Sequence, residues 1–274
     1  MKLLVTGGAG FIGANFIRYY LGRHEDCSIV NLDKLTYAGN LDNLKDVESD
    51  ARYRFVKGDI ADAPLVEEIV KDGIEAIVNF AAETHVDRAI GHAGDFIRTD
   101  VYGAFVLLES ARTHGIKKFI QISTDEVYGS IEEGSFGETD PLMPRNPYAA
   151  SKAGADRLAY SYWATYRLPV IVTRASNNFG PYQYPEKVIP LFVTNALRDI
   201  PLPLYGDGMN VRDWLFVEDH CRAIDFILDH GTDGEVYNIG GGNEIPNVEL
   251  THFILDYLKK PRTLITRVKD RQGH

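Results

Sequence analysis

Up to residue 175 the chain alternates two hydrophobic patterns. Residues 3–5, 28–32, 53–56, 76–80, 119–123 and 170–173 are short apolar runs that read as strands. The segments 11–21, 64–70, 95–113 and 148–166 instead space their apolar residues at helical intervals. Strands alternating with helices predict an α/β fold, a Rossmann-type doubly wound parallel sheet covered on both faces. Beyond residue 175 the pattern loosens into loops rich in Asn, Gly and Pro, with short helices near 218–229 and 248–259. Two units are expected: a large domain over 1–175 and a smaller C-terminal α/β lobe over 176–274 that interleaves with it.

With 274 residues the chain has ample core for this arrangement. A net charge of -10 argues against a general nucleic-acid or anionic-membrane surface. An anionic small molecule can still be held by a few focused Arg or Lys side chains. The two cysteines, Cys27 and Cys221, lie far apart with no metal-type spacing, so neither a disulfide framework nor a metal site is expected. The first strand begins almost at Met1, with no charged leader, and no apolar run approaches membrane-spanning length. A cytoplasmic enzyme is the expectation.

Chemistry enters directly after the first strand. T-G-G-A-G-F-I-G places Gly7, Gly10 and Gly13 between strand and helix, where glycine allows a tight turn and close backbone approach to a pyrophosphate at the helix N-terminus. Asp33 ends the second strand, twenty residues after Gly13, at the position from which a carboxylate accepts hydrogen bonds from the adenosine ribose hydroxyls. A 2'-phosphate there would meet like charge, so the loop is expected to select NAD over NADP, with Lys34 as a partial offset. Asp59 and Ile60 follow the third strand and are placed to flank adenine, although Asp59 also suits an ordinary strand-end turn.

Tyr148 and Lys152 stand four apart in Y-A-A-S-K, on one face of a helix. A phenol with pKa ~10 is a poor base at neutral pH, and an ammonium beside it, with a nicotinamide cation nearby, is expected to stabilise the phenolate and lower that value. The same spacing would serve a plain solvated helix face. What favours chemistry is the glycine loop upstream and Ser123-Thr124-Asp125 at a strand end, where parallel sheets line their ligand crevice.

Together, T-G-G-A-G-F-I-G, Y-A-A-S-K and S-T-D-E-V-Y-G resemble the extended short-chain dehydrogenase/reductase family over nearly the whole chain. Within it, N-F-A-A-E-T-H-V-D-R (79–88), S-T-D-E-V-Y-G (123–129), R-A-S-N-N-F-G-P-Y-Q-Y-P-E-K (174–187) and Y-G-D-G-M-N-V-R-D-W (205–214) are similar to the dTDP-glucose 4,6-dehydratases. That resemblance implies NAD as cofactor, dTDP-glucose as substrate, a homodimer seamed by the helices at 95–113 and 148–166, and formation of a 4-keto-6-deoxy sugar with loss of water. It implies catalytic roles for Thr124, Asp125, Glu126, Tyr148 and Lys152. Tyr148, assisted by Lys152, takes the proton from the carbon 4 hydroxyl, Glu126 removes the proton at carbon 5, and neutral Asp125 protonates the hydroxyl leaving carbon 6. Thr124 holds the oxygen at carbon 4. The adjacent carboxyls suit a dehydratase, because elimination needs both a base and an acid while epimerisation needs neither.

The resemblance also carries Phe11, Ile12, Asp33, Lys34, Leu35, Asp59, Ile60, Phe80, Ala81, Ala82, Thr99, Tyr148, Lys152 and Asn178 to the cofactor, beside the three loop glycines. To the sugar nucleotide it carries Thr84, Thr124, Asn177, Lys187, Val188, Pro203, Tyr205, Arg212 and Asn247. Arg212 also stands on its own chemistry, since a diphosphate favours the planar guanidinium fork. The alternative for Arg212 is an ion pair with Asp213 or Glu218. His85 reads as a packing residue behind the site, and Tyr182, Tyr184 and Trp214 as hydrophobic lining of the lobe.

Ala89, Ala93, Asp100 and Ala104 stand where the family favours Ser, Pro, Asn and Thr, so Asp100 puts a charge in place of an amide. Residues 271–274 resemble the start of a nucleotide-binding segment whose continuation is absent, which implies a shortened chain or a lost element. Two other functions remain open: an NAD-dependent 4-epimerase or decarboxylase acting on a UDP sugar, and a catalytically silent dinucleotide sensor.

Overall fold

The computed structural model describes residues 1–84, 89 and 91–269. Seven parallel strands form the main sheet in the order β10-β6-β5-β4-β1-β2-β3. They are β1 (Lys2–Thr6), β2 (Ser28–Asp33), β3 (Tyr53–Lys57), β4 (Ala76–Asn79), β5 (Lys118–Thr124), β6 (Val170–Ala175) and β10 (Val236–Ile239). Strand direction of growth reverses between β1 and β4, and the crevice beyond their carboxyl ends is where such sheets take ligands.

Alternation along each strand explains the two-sided core. In β1, Leu3 and Val5 pack against α1 (Phe11–Arg23), whereas Leu4 faces the opposite cluster built on α2 (Ala63–Lys71). The same division holds in β5, where Ile120 and Ile122 face one side and Phe119 the other. With both faces buried, these strands read as continuous apolar runs.

On the second face lie α3 (Ala104–His114) and α4 (Pro147–Tyr166), which contribute Leu107, Leu108, Ala159 and Tyr162. The chain enters α3 through a short helix, Ala93–Phe96, and a π-helical segment, Ile97–Gly103, where a continuous α-helix is expected from the spacing. Pro147 opens α4 at a position that needs no N–H donor, and the Asn146 side chain caps it by accepting from the Ala149 N–H at 2.8 Å.

After β6 the chain leaves the sheet and returns. β7 (Asn177–Phe179), β9 (Val211–Phe216) and β11 (Glu244–Pro246) form one small sheet, and β8 (Leu202–Tyr205) pairs with β12 (Ile265–Val268) in another. With α5 (Val188–Leu197) and α7 (Asn247–Tyr257) they enclose a separate core of Phe192, Ala196, Leu202, Trp214, Leu250, Ile254 and Leu255. Between β9 and β11, α6 (Val217–His230) packs its Cys221, Ile224 and Ile227 into the α1 side of the main core, and β10 extends the main sheet. His85, Asp87 and Arg88 of the 79–88 motif, and the terminal 271–274 stretch, lie outside the described residues.

Candidate active site

A cavity of about 520 Å³ opens at the β1/β4 crevice and runs between the main sheet and the small lobe. Its wall at one end is the glycine loop. Gly7 sits at φ 66°, and a Cβ there would come within 2.7 Å of the Ala81 nitrogen. A Cβ on Gly13 would lie 2.5 Å from the Gly7 carbonyl, so both positions exclude larger residues. Helix α1 starts beyond Gly10 with no side-chain cap, leaving its first N–H groups facing the cavity. An uncapped helix N-terminus behind a close-packed glycine turn fits a pyrophosphate.

Asp33 closes β2 in this wall, 7% exposed, with its carboxylate accepting the Ala9 N–H at 2.9 Å and the Leu35 N–H at 2.7 Å. Burial pushes the Asp33 carboxyl up, and the two N–H donors pull it back. Lys34, in the same wall, pairs with Asp59 at 2.9 Å. The offset expected of Lys34 is thus largely spent on Asp59, and the adenosine end of the cavity keeps a net negative charge. Ile60, Phe80, Ala81, Ala82, Thr99 and Asn178 also line the cavity. Leu35 does not: it stands at φ 57° and reaches the site through its N–H to Asp33.

The reacting groups converge from β5 and α4. Thr124 caps a 3-10 turn, Asp125–Tyr128, by accepting from the Glu126 N–H at 3.3 Å, and its hydroxyl donates to Asp125 at 3.2 Å. Asn146 does two jobs: besides capping α4, its side-chain N–H donates to the Glu126 carboxylate at 3.2 Å. Because Tyr148 follows two residues later, this bond ties Glu126 to the start of the helix that carries the Tyr148–Lys152 pair. Thr124, Glu126, Tyr148 and Lys152 all line the cavity. Asp125 stands just behind the wall, held by Thr124.

Electrostatics here depart from expectation. Burial, then the carboxylates of Glu126, Asp100 and Asp125, hold the Tyr148 phenol well above its ordinary value, against only a hydrogen bond with Thr124. Lys152 by itself does not bring the expected lowering: its ammonium donates to the Ile122 carbonyl at 2.6 Å and burial pulls its own pKa down, which leaves the nicotinamide cation as the other charge that the expectation invoked. Burial and the neighbouring Glu126 raise the Asp125 carboxyl to about 6. The shift is toward the protonated form expected of it, and leaves the acid a minority species at pH 7.

Thr84, Asn177, Lys187, Val188, Pro203, Tyr205, Arg212 and Asn247 line the part of the cavity under the small lobe. The Lys187 ammonium donates to the Thr84 carbonyl at 3.1 Å. Among the described residues Arg212 forms no ion pair, and Asp213 is occupied by the Gly241 and Asn243 N–H groups, each at 2.7 Å. This removes the ion pair with Asp213 as an account of Arg212.

His220 is a lining residue that the sequence reading passes over. It is fully buried on α6, and its Nδ1 lies 2.8 Å from the Asn178 side-chain oxygen. Asn178 spends its N–H donor on the Ser176 carbonyl, so its oxygen accepts and His220 must donate. Burial drops the His220 pKa to about 4, which keeps the ring neutral. Its place was visible as the i+3 residue of an apolar stripe with Val217, Cys221 and Ile224. Ser123, Ser176 and Trp214 likewise line the cavity, each with a buried polar atom that has no protein partner. Such atoms suit a polar ligand.

Comparison with known proteins agrees with this geometry. Residues 4–272 match the family model described as GDP-mannose 4,6 dehydratase. The dTDP-glucose 4,6-dehydratase of Streptomyces antibioticus is 53% identical, covering 100% of this chain and 82% of its own. The low-salt glycan biosynthesis protein Agl12 of Haloferax volcanii is 54% identical, covering 100% and 88%. The crystal structure of DesIV, a dTDP-glucose 4,6-dehydratase from Streptomyces venezuelae with NAD bound, superposes with a TM-score of 0.97 at 53% identity, over 100% of this chain and 86% of that one. The chain belongs to the GDP-mannose 4,6 dehydratase family, and it is about half identical over its full length to these dTDP-glucose 4,6-dehydratases.

Proposed function

We propose that this protein is an NAD-dependent dTDP-glucose 4,6-dehydratase, a hydro-lyase that converts dTDP-glucose to dTDP-4-keto-6-deoxyglucose and water. The observation that carries the reading is the Thr124–Asp125–Glu126 turn, fixed by Asn146 against the start of α4 so that an acid, a base and the Tyr148–Lys152 pair serve one cavity. NAD bound in the glycine cradle would supply the hydride chemistry, as acceptor from carbon 4 and donor to carbon 6. Gly7, Gly10 and Gly13 would lie against its pyrophosphate, and Asp33 would accept from its ribose hydroxyls.

Tyr148 removes the carbon 4 hydroxyl proton as the phenolate, a form that the nicotinamide cation of bound NAD, together with the Lys152 ammonium, would stabilise against the surrounding carboxylates. Oxidation at carbon 4 acidifies the hydrogen at carbon 5, which Glu126 takes. Asp125, whose carboxyl burial and Glu126 raise toward neutrality, turns in its protonated form from Thr124 into the cavity and protonates the hydroxyl departing carbon 6. Thr124 then orients the carbon 4 oxygen. Arg212 and Lys187 hold the diphosphate, and residues 176–274 supply most of the sugar-nucleotide wall.

A homodimer accompanies this reading. Ile97, Tyr102 and Phe105, and Tyr160 and Tyr166 of α4, are 39–53% exposed, which supports a seam between copies along these helices. No described helix is long and apolar enough to cross a membrane, and the reading places the enzyme in the cytoplasm.

The purified protein, with its own bound cofactor, should convert dTDP-glucose to a product lighter by one water, followed by mass spectrometry, without stoichiometric NAD. Release of a 4-epimer of unchanged mass, or turnover confined to UDP-glucose, would overturn the assignment. A separate expectation concerns Asp33. Its carboxylate should discriminate against NADP by a charged hydrogen bond of about 1.5–3 kcal/mol, or roughly ten- to hundredfold. Asp33→Asn should narrow the NAD-to-NADP affinity ratio by that factor in cofactor titrations, whereas an unchanged ratio would place selection elsewhere.

A further inference from the structure

Asp100 is a buried carboxylate that no step above uses. It lies in the π-helical segment Ile97–Gly103 and is 3% exposed. Such segments are rare and collect at functional sites. One carboxylate oxygen accepts the Glu83 N–H at 3.0 Å and the other accepts the Ser151 hydroxyl at 2.6 Å. The Ser151 oxygen also lies 2.8 Å from the Tyr148 carbonyl, which shares its single hydrogen with Asp100, and Ser151 directly precedes Lys152, so Asp100 is joined by one hydroxyl to the turn that carries both members of the pair. Among the described residues it forms no ion pair, and a buried carboxylate is costly unless a nearby cation answers it. The cation available is the buried Lys152 ammonium.

We propose that Asp100 is a positioning residue for the Tyr148–Lys152 pair, whose carboxylate docks α4 onto the π-helical segment through Ser151 and supplies the buried negative charge that keeps Lys152 protonated. This rests on Tyr148 being the base of the reaction. From α4, Asp100 faces Tyr148, Ser151 and Lys152, and from the stretch after β4 it faces Glu83. The pair itself faces three other carboxylates: Asp125 and Glu126 from the 3-10 turn, and Asp156, which is bonded to Arg174 at 2.8 Å.

The sign of the effect follows from these neighbours. Burial pulls Lys152 down, and Asp100 opposes that more than Asp156 does. Asp100 also raises the Tyr148 phenol. Its own carboxyl is raised by burial to about 6, with Lys152 opposing, so the charge is present at neutral pH and lost in mild acid. Removing that charge lowers both pKa values of the pair.

Asp100→Asn takes away the charge and keeps the network. The amide oxygen still accepts from Glu83, and the amide N–H donates to Ser151, whose hydrogen then serves the Tyr148 carbonyl. Ser151→Ala does the reverse, breaking the link while leaving the carboxylate. We expect both limbs of the pH profile for carbon 4 oxidation, read in a single turnover as reduced-nicotinamide absorbance, to move to lower pH by about one pH unit in Asp100→Asn, with KM for dTDP-glucose within about twofold of the parent. The limbs should stay in place in Ser151→Ala. A superposable Asp100→Asn profile, or an equal displacement in Ser151→Ala, would overturn the proposal.

Carboxyl 13C titration gives a second test that does not depend on that variant folding. In an Asp125→Asn background, one buried aspartate should titrate near pH 6 and move to higher pH with Lys152→Met. No such coupling would overturn the proposal as well. A parent protein that does not dehydrate dTDP-glucose would sink the dehydratase reading, while this titration would still decide whether Asp100 and Lys152 are coupled.

Discussion

Tyr148→Phe should lower turnover by about three orders of magnitude while leaving the protein folded and its cofactor bound. The substitution deletes one hydroxyl and keeps the ring that packs edge-on against Phe96 at 6.4 Å between centroids. Loss of a general base typically costs about 10²- to 10⁴-fold. Thr124, which shares a hydrogen bond with the phenol, is not stranded, because it still donates to Asp125 and accepts from the Glu126 N–H. A single-turnover experiment should show the loss already at oxidation of carbon 4, as absence of the reduced-nicotinamide absorbance, with elimination never reached.

Burial and the three carboxylates around Tyr148 also predict that its phenol stays protonated from about pH 6 to about pH 9 in protein stripped of cofactor. Ultraviolet difference spectra of the parent and Tyr148→Phe should therefore show no phenolate band in that range. A silent dinucleotide sensor would bind NAD equally well in both proteins and show no turnover in either. Retained turnover in Tyr148→Phe would remove the phenol from the chemistry.

The parts of this site that the sequence disclosed are those set by local spacing. The glycine loop is legible because its demands are local: Gly7 turns at positive φ and a Cβ on Gly13 would meet the Gly7 carbonyl, although the Ala81 backbone that also crowds Gly7 lies far along the chain. Tyr148 and Lys152 are legible because four residues on a helix is a fixed geometry. The central strands are legible for a similar reason: Leu3, Leu4 and Val5 are all buried, on alternating faces, and so form an unbroken apolar run.

The rest depends on partners distant in the chain. β8 has four residues and pairs with β12 some sixty positions later, and β7 has three, too few to display a period. α5 is apolar around most of its circumference and therefore shows no stripe. His220 meets Asn178 across 42 residues. Asp100 was visible as a departure from the family pattern, but the π-helical turn that buries it against Ser151 leaves no mark in the hydrophobic spacing. Even the sign of the Tyr148 shift was lost, since spacing places Lys152 beside the phenol without saying that its ammonium turns to the Ile122 carbonyl.

Asp125→Asn should separate the two halves of the reaction. Asparagine fits the same space and can keep the Thr124 contact, with its amide oxygen accepting from the hydroxyl. It cannot release an acid proton to the hydroxyl leaving carbon 6. Oxidation at carbon 4 should remain measurable in a single turnover, while water loss slows by about 10²- to 10⁴-fold. The parent should show a matching pH signature. With its carboxyl near 6, Asp125 is protonated below that pH and only about one-tenth protonated at pH 7, so elimination should fall as pH rises through and beyond 6. Asp125→Asn should lose that limb.

The same shift sets the sign of a stability effect. The folded protein holds the Asp125 proton up to about pH 6, whereas an unfolded carboxyl releases it near 3.8, so between those values the folded state binds more protons and this group's contribution to stability falls as pH rises. Thermal midpoints of Asp125→Asn should therefore decline less steeply than the parent's across that window. Part of the slope will persist, because the carboxyl of Asp100 is raised in the same way. If oxidation and water loss decline together in Asp125→Asn, with the pH limb unchanged, the proton for the leaving hydroxyl comes from another group, and Glu126 becomes the carboxyl that must both take and return it.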